Sequence, residues 1–328
     1  MNKRLSIAVT LNPRTRPVID GRAAPEDIEL AVNVLDPGSI FARQLRAAEF
    51  DVAEMSMASL LMALDAGDTR FIGIPVFTTK RFFHTNVLVR RDAGIESPAD
   101  LKGKRVGLPE YQQTAAVWIR GFLQSEFGVT PRDLEFWMER TAEQSNVNTA
   151  FVAPPGVTVH HVPPEKNLGS MMVSGELQAC LIYYGGHSGE RSTENLAAHP
   201  AIKRLFADRA AEGARYYKKS GIYPVNHGMI IRRDVLREEP WIAANILKAF
   251  SRANALADKE RMEHVANHFD AGLLPGRDRG ALETPLFEHG IKANRKTIEA
   301  IATYAYEQGL TSRILAIDEI FAETTLSS

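Results

Sequence analysis

At 328 residues the chain exceeds one ordinary domain, so two lobes of about 100 to 200 residues each are expected. Hydrophobic residues make up 45% and charged residues 24%, which excludes a disordered chain and predicts a globular protein with a real core. The 39 basic residues against 40 acidic ones leave a net charge of -1, which excludes a whole-molecule field for nucleic acid or an acidic membrane; any anion recognition must be local.

Cys180 is the single cysteine, so neither an intramolecular disulfide nor a cysteine metal cluster can form within one chain, as suits a reducing compartment. The basic start meets Asn12, Pro13, Arg14 and Arg16 after a short apolar stretch, which is not the pattern of a secretory signal. No apolar run approaches the roughly 18 residues that cross a bilayer. A cytoplasmic protein is therefore expected.

Leu5 to Thr10 reads as a strand that stops at the proline-bounded loop Asn12 to Pro17 and leaves arginines at its end. Ile28 to Val34 reads as a strand and Pro37 to Glu49 as a helix. Val52 to Ser56 and Phe71 to Phe77 follow as strands around a helix at Ala58 to Ala66, closed by Gly67 in a left-handed cap. The alternation implies βαβ units, a largely parallel sheet and a ligand beyond the carboxyl ends of the strands.

A second series starts after Thr85 to Arg91. Asp100 to Pro109 gives a turn and strand, and Gln113 to Phe127 a helix that Thr114 caps. The N-terminus of that helix suits a carboxylate or phosphate, although ordinary capping explains Thr114 equally well. Strands at Leu134 to Met138, Val157 to Val162 and Ala179 to Tyr183, a helix at Ser170 to Leu177, and a loop-rich Asn146 to Pro164 complete this series. Met229 to Arg232 is a returning strand, and Trp241 to Met262, Lys296 to Gln308 and Ser312 to Ala322 are helical.

This order, with strand crossings near Phe83 to Val89 and Gly221 to Ile231, resembles the type 2 periplasmic-binding-protein fold. The resemblance implies an α/β protein of two lobes, each a mixed, mostly parallel sheet flanked by helices. Residues 1–86 and 228–328 would form one lobe, residues 87–227 the other, with the ligand cleft between them.

Several separated segments carry a narrower likeness: Arg14-Thr15-Arg16-Pro17 with Asp20-Gly21, Phe50 to Ser56, Ile74 to Phe77 with Arg81 to His84, Gly107 to Gln112 through Thr114 and Trp118 to Gly121, and Gly221 to Pro224 with His227. In these the chain is similar to the 4,5-dihydroxyphthalate decarboxylase family, whose members use this fold as a cytoplasmic enzyme. Pro13, Phe83 and Gln178 depart from that pattern. Pro13 stands where an aspartate is expected, Phe83 where arginine often precedes the histidine, and Gln178 where an acid is usual. Pro13 and Phe83 flank positions expected to face ligand, so the substrate can differ from the family's.

The implied chemistry is loss of carbon dioxide from a hydroxylated aromatic acid, for example 4,5-dihydroxyphthalate to protocatechuate. It needs a proton for the ring carbon, an acceptor for the phenol and cations for a second carboxylate, and no cofactor. Histidine holds and releases a proton near neutral pH. His84 and His227, one at each crossing, are the candidate acids; alternatively each merely hydrogen-bonds the hinge. Glu54 can accept the phenolic proton, orient a histidine or pair with an arginine.

Arg14, Arg16 and Arg81 can clamp carboxylates with forked donors. Ser56, Tyr111, Gln112, Thr114 and Tyr223 complete the expected substrate contacts, while Trp118 reads as core. A metal held by Glu54, His84 and His227 is a competing mechanism without support from spacing, and His160-His161 on one strand is a poor chelate. No dinucleotide fingerprint, P-loop or zinc-protease motif occurs, and Gly186 to Glu190 misses the nucleophile elbow and reads as a loop. Besides the decarboxylase, a solute-binding protein for an aromatic acid and another cofactor-free lyase fit the same lobes. The expected partner is a small aromatic carboxylate, not nucleic acid or membrane, and self-association stays open.

Overall fold

The computed structural model describes residues 3–141, 144–145, 151–185, 191–276 and 279–328. Its strands fall into two sheets. The first holds β1 (Lys3–Val9), β2 (Ile28–Val34), β3 (Val52–Ser56), β4 (Phe71–Lys80) and the late β11 (Val225–Arg232), in the order β2-β1-β3-β11-β4. β1 runs parallel to β2 and β3, whereas β11 inserts antiparallel between β3 and β4. The second sheet holds β5 (Leu88–Arg90), β6 (Arg105–Leu108), β7 (Glu135–Met138), β8 (Thr158–His161), β9 (Ala179–Cys180) and β10 (Ile202–Arg204), in the order β10-β5-β9-β6-β7-β8.

The chain therefore leaves the first sheet after Lys80 and re-enters it at Val225, in two crossings. Central strands are apolar on both faces, as a sheet covered on both sides requires: all five residues of β3 are buried, Glu54 among them. Helices α1 (Arg16–Ile19), α2 (Pro37–Ala47) and α3 (Met57–Asp65) follow first-sheet strands; α4 (Thr114–Phe127), α5 (Leu168–Ser174) and α6 (Arg209–Ser220) belong to the second half. The chain ends with α7 (Arg233–Glu238), α8 (Ile242–Asp270), α9 (Arg279–Glu283), α10 (Ile291–Glu307) and α11 (Ile317–Ile320).

α10 packs against both α3 and α4, so it ties together helices that serve different sheets. The side chain that fixes this contact is Arg120, fully buried, with Nε donating to Gln308 (2.8 Å) and Nη2 to the Tyr111 carbonyl (2.7 Å). Its guanidinium lies 3.7 Å from the Tyr111 ring centre. Burial pushes it down to about 10, still charged at neutral pH.

Three expectations fail here. Ser312 to Ala322 is helical only over Ile317–Ile320, because the segment instead runs beside β4, where Ala322 donates to the Gly73 carbonyl and Phe321 pairs with Gly73. Thr114 is the first residue of α4 and Gln113 its cap; the Thr114 hydroxyl is committed elsewhere, as described below. β10, α6 and α7 were not foreseen: β10 is only Ile-Lys-Arg, and the buried face of α6 consists of Glu212, Gly213 and Tyr216, with no aliphatic residue to mark it. Residues 146–150 of the expected loop and the segment Gly186 to Glu190 lie outside the described residues. Among the described residues no helix is long and apolar enough to cross a membrane.

Candidate active site

A cavity of about 840 Å³ opens where α2, α3 and α4 begin. Asp36 to Ser39, at the start of α2, line it, as do Ser56, the cap of α3, and Gln113 and Thr114 at the start of α4. The start of α2 is capped by the Asp36 carboxylate, which accepts from the Ser39 N–H, whereas the starts of α3 and α4 carry no acidic side chain and turn the positive ends of their dipoles to the cavity, which favours an anion there. Arg46, Arg81 and Arg140 line the same cavity.

Ser56 and Thr114 close its base between the two sheets' elements. Their hydroxyls stand 2.7 Å apart, and the Ala58 N–H donates to Thr114 Oγ1 at 2.9 Å, so Thr114 caps α3 from the far side of the cleft. On the second-sheet side, Gln112 donates to Glu110 (2.7 Å) and Arg140 pairs with Glu110 at 3.3 Å. Gln112 Oε1 is buried with no hydrogen-bond partner among the described residues, an acceptor left for a ligand hydroxyl.

The histidine that lines the cavity is His227 on β11. Its Nδ1 lies 2.7 Å from Glu54 Oε1, and Asn226 Nδ2 lies 2.9 Å from its Nε2. The Phe41 ring meets it edge-on at 5.0 Å. β11 lies beside β3 with His227 opposite Ser56, which sets the imidazole next to the α3 cap. Glu54 is fully buried; its other oxygen accepts from the Thr10 N–H (2.9 Å) and hydroxyl (2.7 Å). Burial opposes its charge, but the bonds from His227 and Thr10 outweigh that and hold its carboxyl below the usual carboxylate range. An ionised Glu54 fixes the Nδ1–H tautomer, in which Nε2 accepts from the Asn226 amide, and both His227 and Asn226 line the cavity.

Of the sequence candidates, His227, Ser56, Gln112, Thr114 and Arg81 line the cavity, with Glu54 directly behind His227. His84 does not. Its ring stacks on Phe122 at 3.9 Å within a shell of Phe82, Phe206 and Tyr216. Burial, with the charge of Arg215 adding, pushes its imidazole down to about 3. Nε2 sits 3.4 Å from Glu212 out of bonding alignment, and Glu212 is turned onto Arg215 at 2.7 Å. Enclosed by those rings and absent from the cavity lining, His84 is not placed to protonate a ligand there, and among the described residues no three His, Cys, Asp or Glu side chains, Glu54, His84 and His227 included, stand together as a metal set.

Tyr111 is also excluded, fully buried beneath Arg120 with its hydroxyl on the Gln308 carbonyl. Arg16 is exposed at the start of α1, away from the cavity. Arg14 and Tyr223 meet instead at a separate cluster, Arg14 lying 3.9 Å from the Phe287 ring centre and Tyr223 packing on Phe287 at 5.4 Å. Lys80 belongs there too, donating to Asn294 (2.7 Å), and burial pushes its amine down to about 7. Gln178 binds the backbone of Arg105 across β9 and β6, a structural role. Arg140 and Glu110 were missed, although both follow second-sheet strand ends, β7 and β6, where ligand residues gather in such sheets.

Residues 28–153 match a family described as ABC transporter, phosphonate, periplasmic substrate-binding protein. A relative from Comamonas testosteroni named 4,5-dihydroxyphthalate decarboxylase is 31% identical over 99% of this chain and 98% of its own length. Another of that name, from Pseudomonas putida, is 37% identical over 66% of this chain and 83% of its own. Among solved structures, the periplasmic aliphatic sulphonate binding protein SsuA from Escherichia coli superposes with a TM-score of 0.56 at 14% identity, covering 98% of this chain and 92% of that one. The desulfurization enzyme DSZB superposes with a TM-score of 0.50 at 13% identity, covering 99% and 98%. The expected periplasmic-binding-protein-like fold is thus the one observed.

Proposed function

The chain belongs to the 4,5-dihydroxyphthalate decarboxylase family, and from that premise we propose that it removes one carboxylate from a dihydroxylated aromatic dicarboxylate by protonating the ring carbon that bears it. The observation that carries this reading is the Glu54–His227 pair, 2.7 Å apart, opening onto a cavity framed by arginines and helix starts.

In this reading Arg81 and the starts of α3 and α4 hold the retained carboxylate, and the ring lies against His227. The hydroxyl para to the reacting carbon keeps its proton and pushes electron density toward that carbon, which takes a proton from Nε2 of the imidazolium; solvent later returns a proton to His227. The bond to the carboxylate then breaks, its electron pair returns to the ring, and carbon dioxide leaves. Glu54 stabilises the imidazolium before transfer and the Nδ1–H tautomer after it. Gln112 Oε1 is the acceptor available to a phenolic hydroxyl.

Incubation with 4,5-dihydroxyphthalate in deuterated water should release carbon dioxide and give protocatechuate with one deuterium at the vacated ring carbon. Tight binding without turnover would instead favour a solute-binding protein for an aromatic acid, a reading that the match of residues 28–153 to a substrate-binding family keeps in view.

A further inference from the structure

A second cavity of about 400 Å³ adjoins the first, and Arg81, Phe83 and Tyr184 line both, so the two are separated by little more than these side chains. The character changes across that partition. Leu88, Ile119, Leu181 and Ile182 make the second cavity's walls apolar, and Arg204 stands on its lining.

The charge there is unbalanced. Neither Arg81 nor Arg204 forms an ion pair among the described residues, in a chain where Arg90, Arg215 and Arg313 pair with nearby carboxylates. Arg209, also without an ion pair among those residues, has its charge disfavoured first by burial and then by the nearby charges of Arg204 and Arg81. Glu194 lines this cavity too, but its carboxylate accepts from the Thr193 N–H (3.0 Å) and sits over Gly169 beside the start of α5. Unpaired guanidinium groups beside apolar walls match a molecule with a hydrophobic body and a negative end.

We infer that the cleft accepts an elongated acid: its reacting ring lies at His227, an apolar arm passes Phe83 and Tyr184 into the second cavity, and a further anionic group meets Arg204. This deepens the proposed function and rests on its reading of the first cavity as acid-binding. Arg204 is then a specificity residue that lies beyond the reacting atoms.

The test uses phthalate and derivatives carrying, at ring position 4, a chain of two, four or six methylenes ending in a carboxylate. Calorimetry with the wild-type chain should show affinity rising along the series, by about tenfold over phthalate at the best length. In Arg204→Gln the ratio of the best derivative to phthalate should fall close to one. A flat series in the wild type, or an equal rise in Arg204→Gln, overturns the inference. Turnover of 4,5-dihydroxyphthalate, measured in parallel, separates the two readings: turnover with a flat series removes the extension alone, whereas an Arg204-dependent rise without turnover keeps the extension and removes the decarboxylase.

Discussion

His227 Nδ1 lies 2.7 Å from Oε1 of Glu54, a carboxylate that solvent does not reach. A buried carboxylate survives only with compensation, and here the second oxygen is held by two donors of Thr10 while the first is left to the imidazole. β3 and β11 are adjacent strands, so the pair is as rigid as the sheet that carries it.

Glu54→Gln should keep the fold and remove the charge that supports the imidazolium. The expected result is a fall in kcat of about 100-fold or more, with KM nearly unchanged, because the group does not line the cavity. Steady-state kinetics decide it: a variant with wild-type kcat would show that Glu54 only fills space.

His227→Ala and His84→Phe should separate the two histidines. The first should lose turnover and retain ligand affinity. The second should stay active, and its stability should respond less to acid. The folded His84 titrates near 3 and an unfolded one near 6.5, so between those values the unfolded chain binds the extra proton. Stability therefore drops as pH falls from 6.5 toward 3, and removing His84 should flatten that slope in urea titrations. An unchanged slope, or lost turnover in His84→Phe, contradicts the placement of this ring.

The strand order was legible because apolar runs and prolines mark it: β2, β3 and the start of α2 lie where the periodicity put them. His84 and His227 looked equivalent because each sits at a crossing, and only packing distinguishes a ring stacked on Phe122 from one bonded to Glu54. Tyr111 misled for a similar reason. It follows a strand end that does line the cleft through Glu110 and Gln112, but its own side chain turns under Arg120, a partner nine residues on whose burial depends on α10. Arg14 sits at the predicted strand end and still misses the cavity, because its guanidinium is drawn to the Thr78 carbonyl on β4 and onto the Phe287 ring, contacts with segments far along the chain.

Thr114→Val should cost about 1–3 kcal/mol, because it leaves the Ala58 N–H and the Ser56 hydroxyl without their buried partner. Thr114→Ser keeps the hydroxyl and should recover most of the loss. Chemical denaturation of the three proteins checks this; equal stability for the valine and serine variants would mean that the bond between the two sheets' elements contributes little.

Arg81→Lys tests the binding side of the site without touching the proton. The side chain lines the cavity, is exposed, and has no ion pair among the described residues, so its forked donors are available to a carboxylate. Lysine keeps the charge and loses the two parallel bonds, so KM should rise by about tenfold while kcat moves far less. Arg81→Gln, which also removes the charge, should weaken binding further and lessen its dependence on salt. If all three proteins share one KM, the retained carboxylate rests on the helix starts and Arg140 alone, and Arg81 leaves the site.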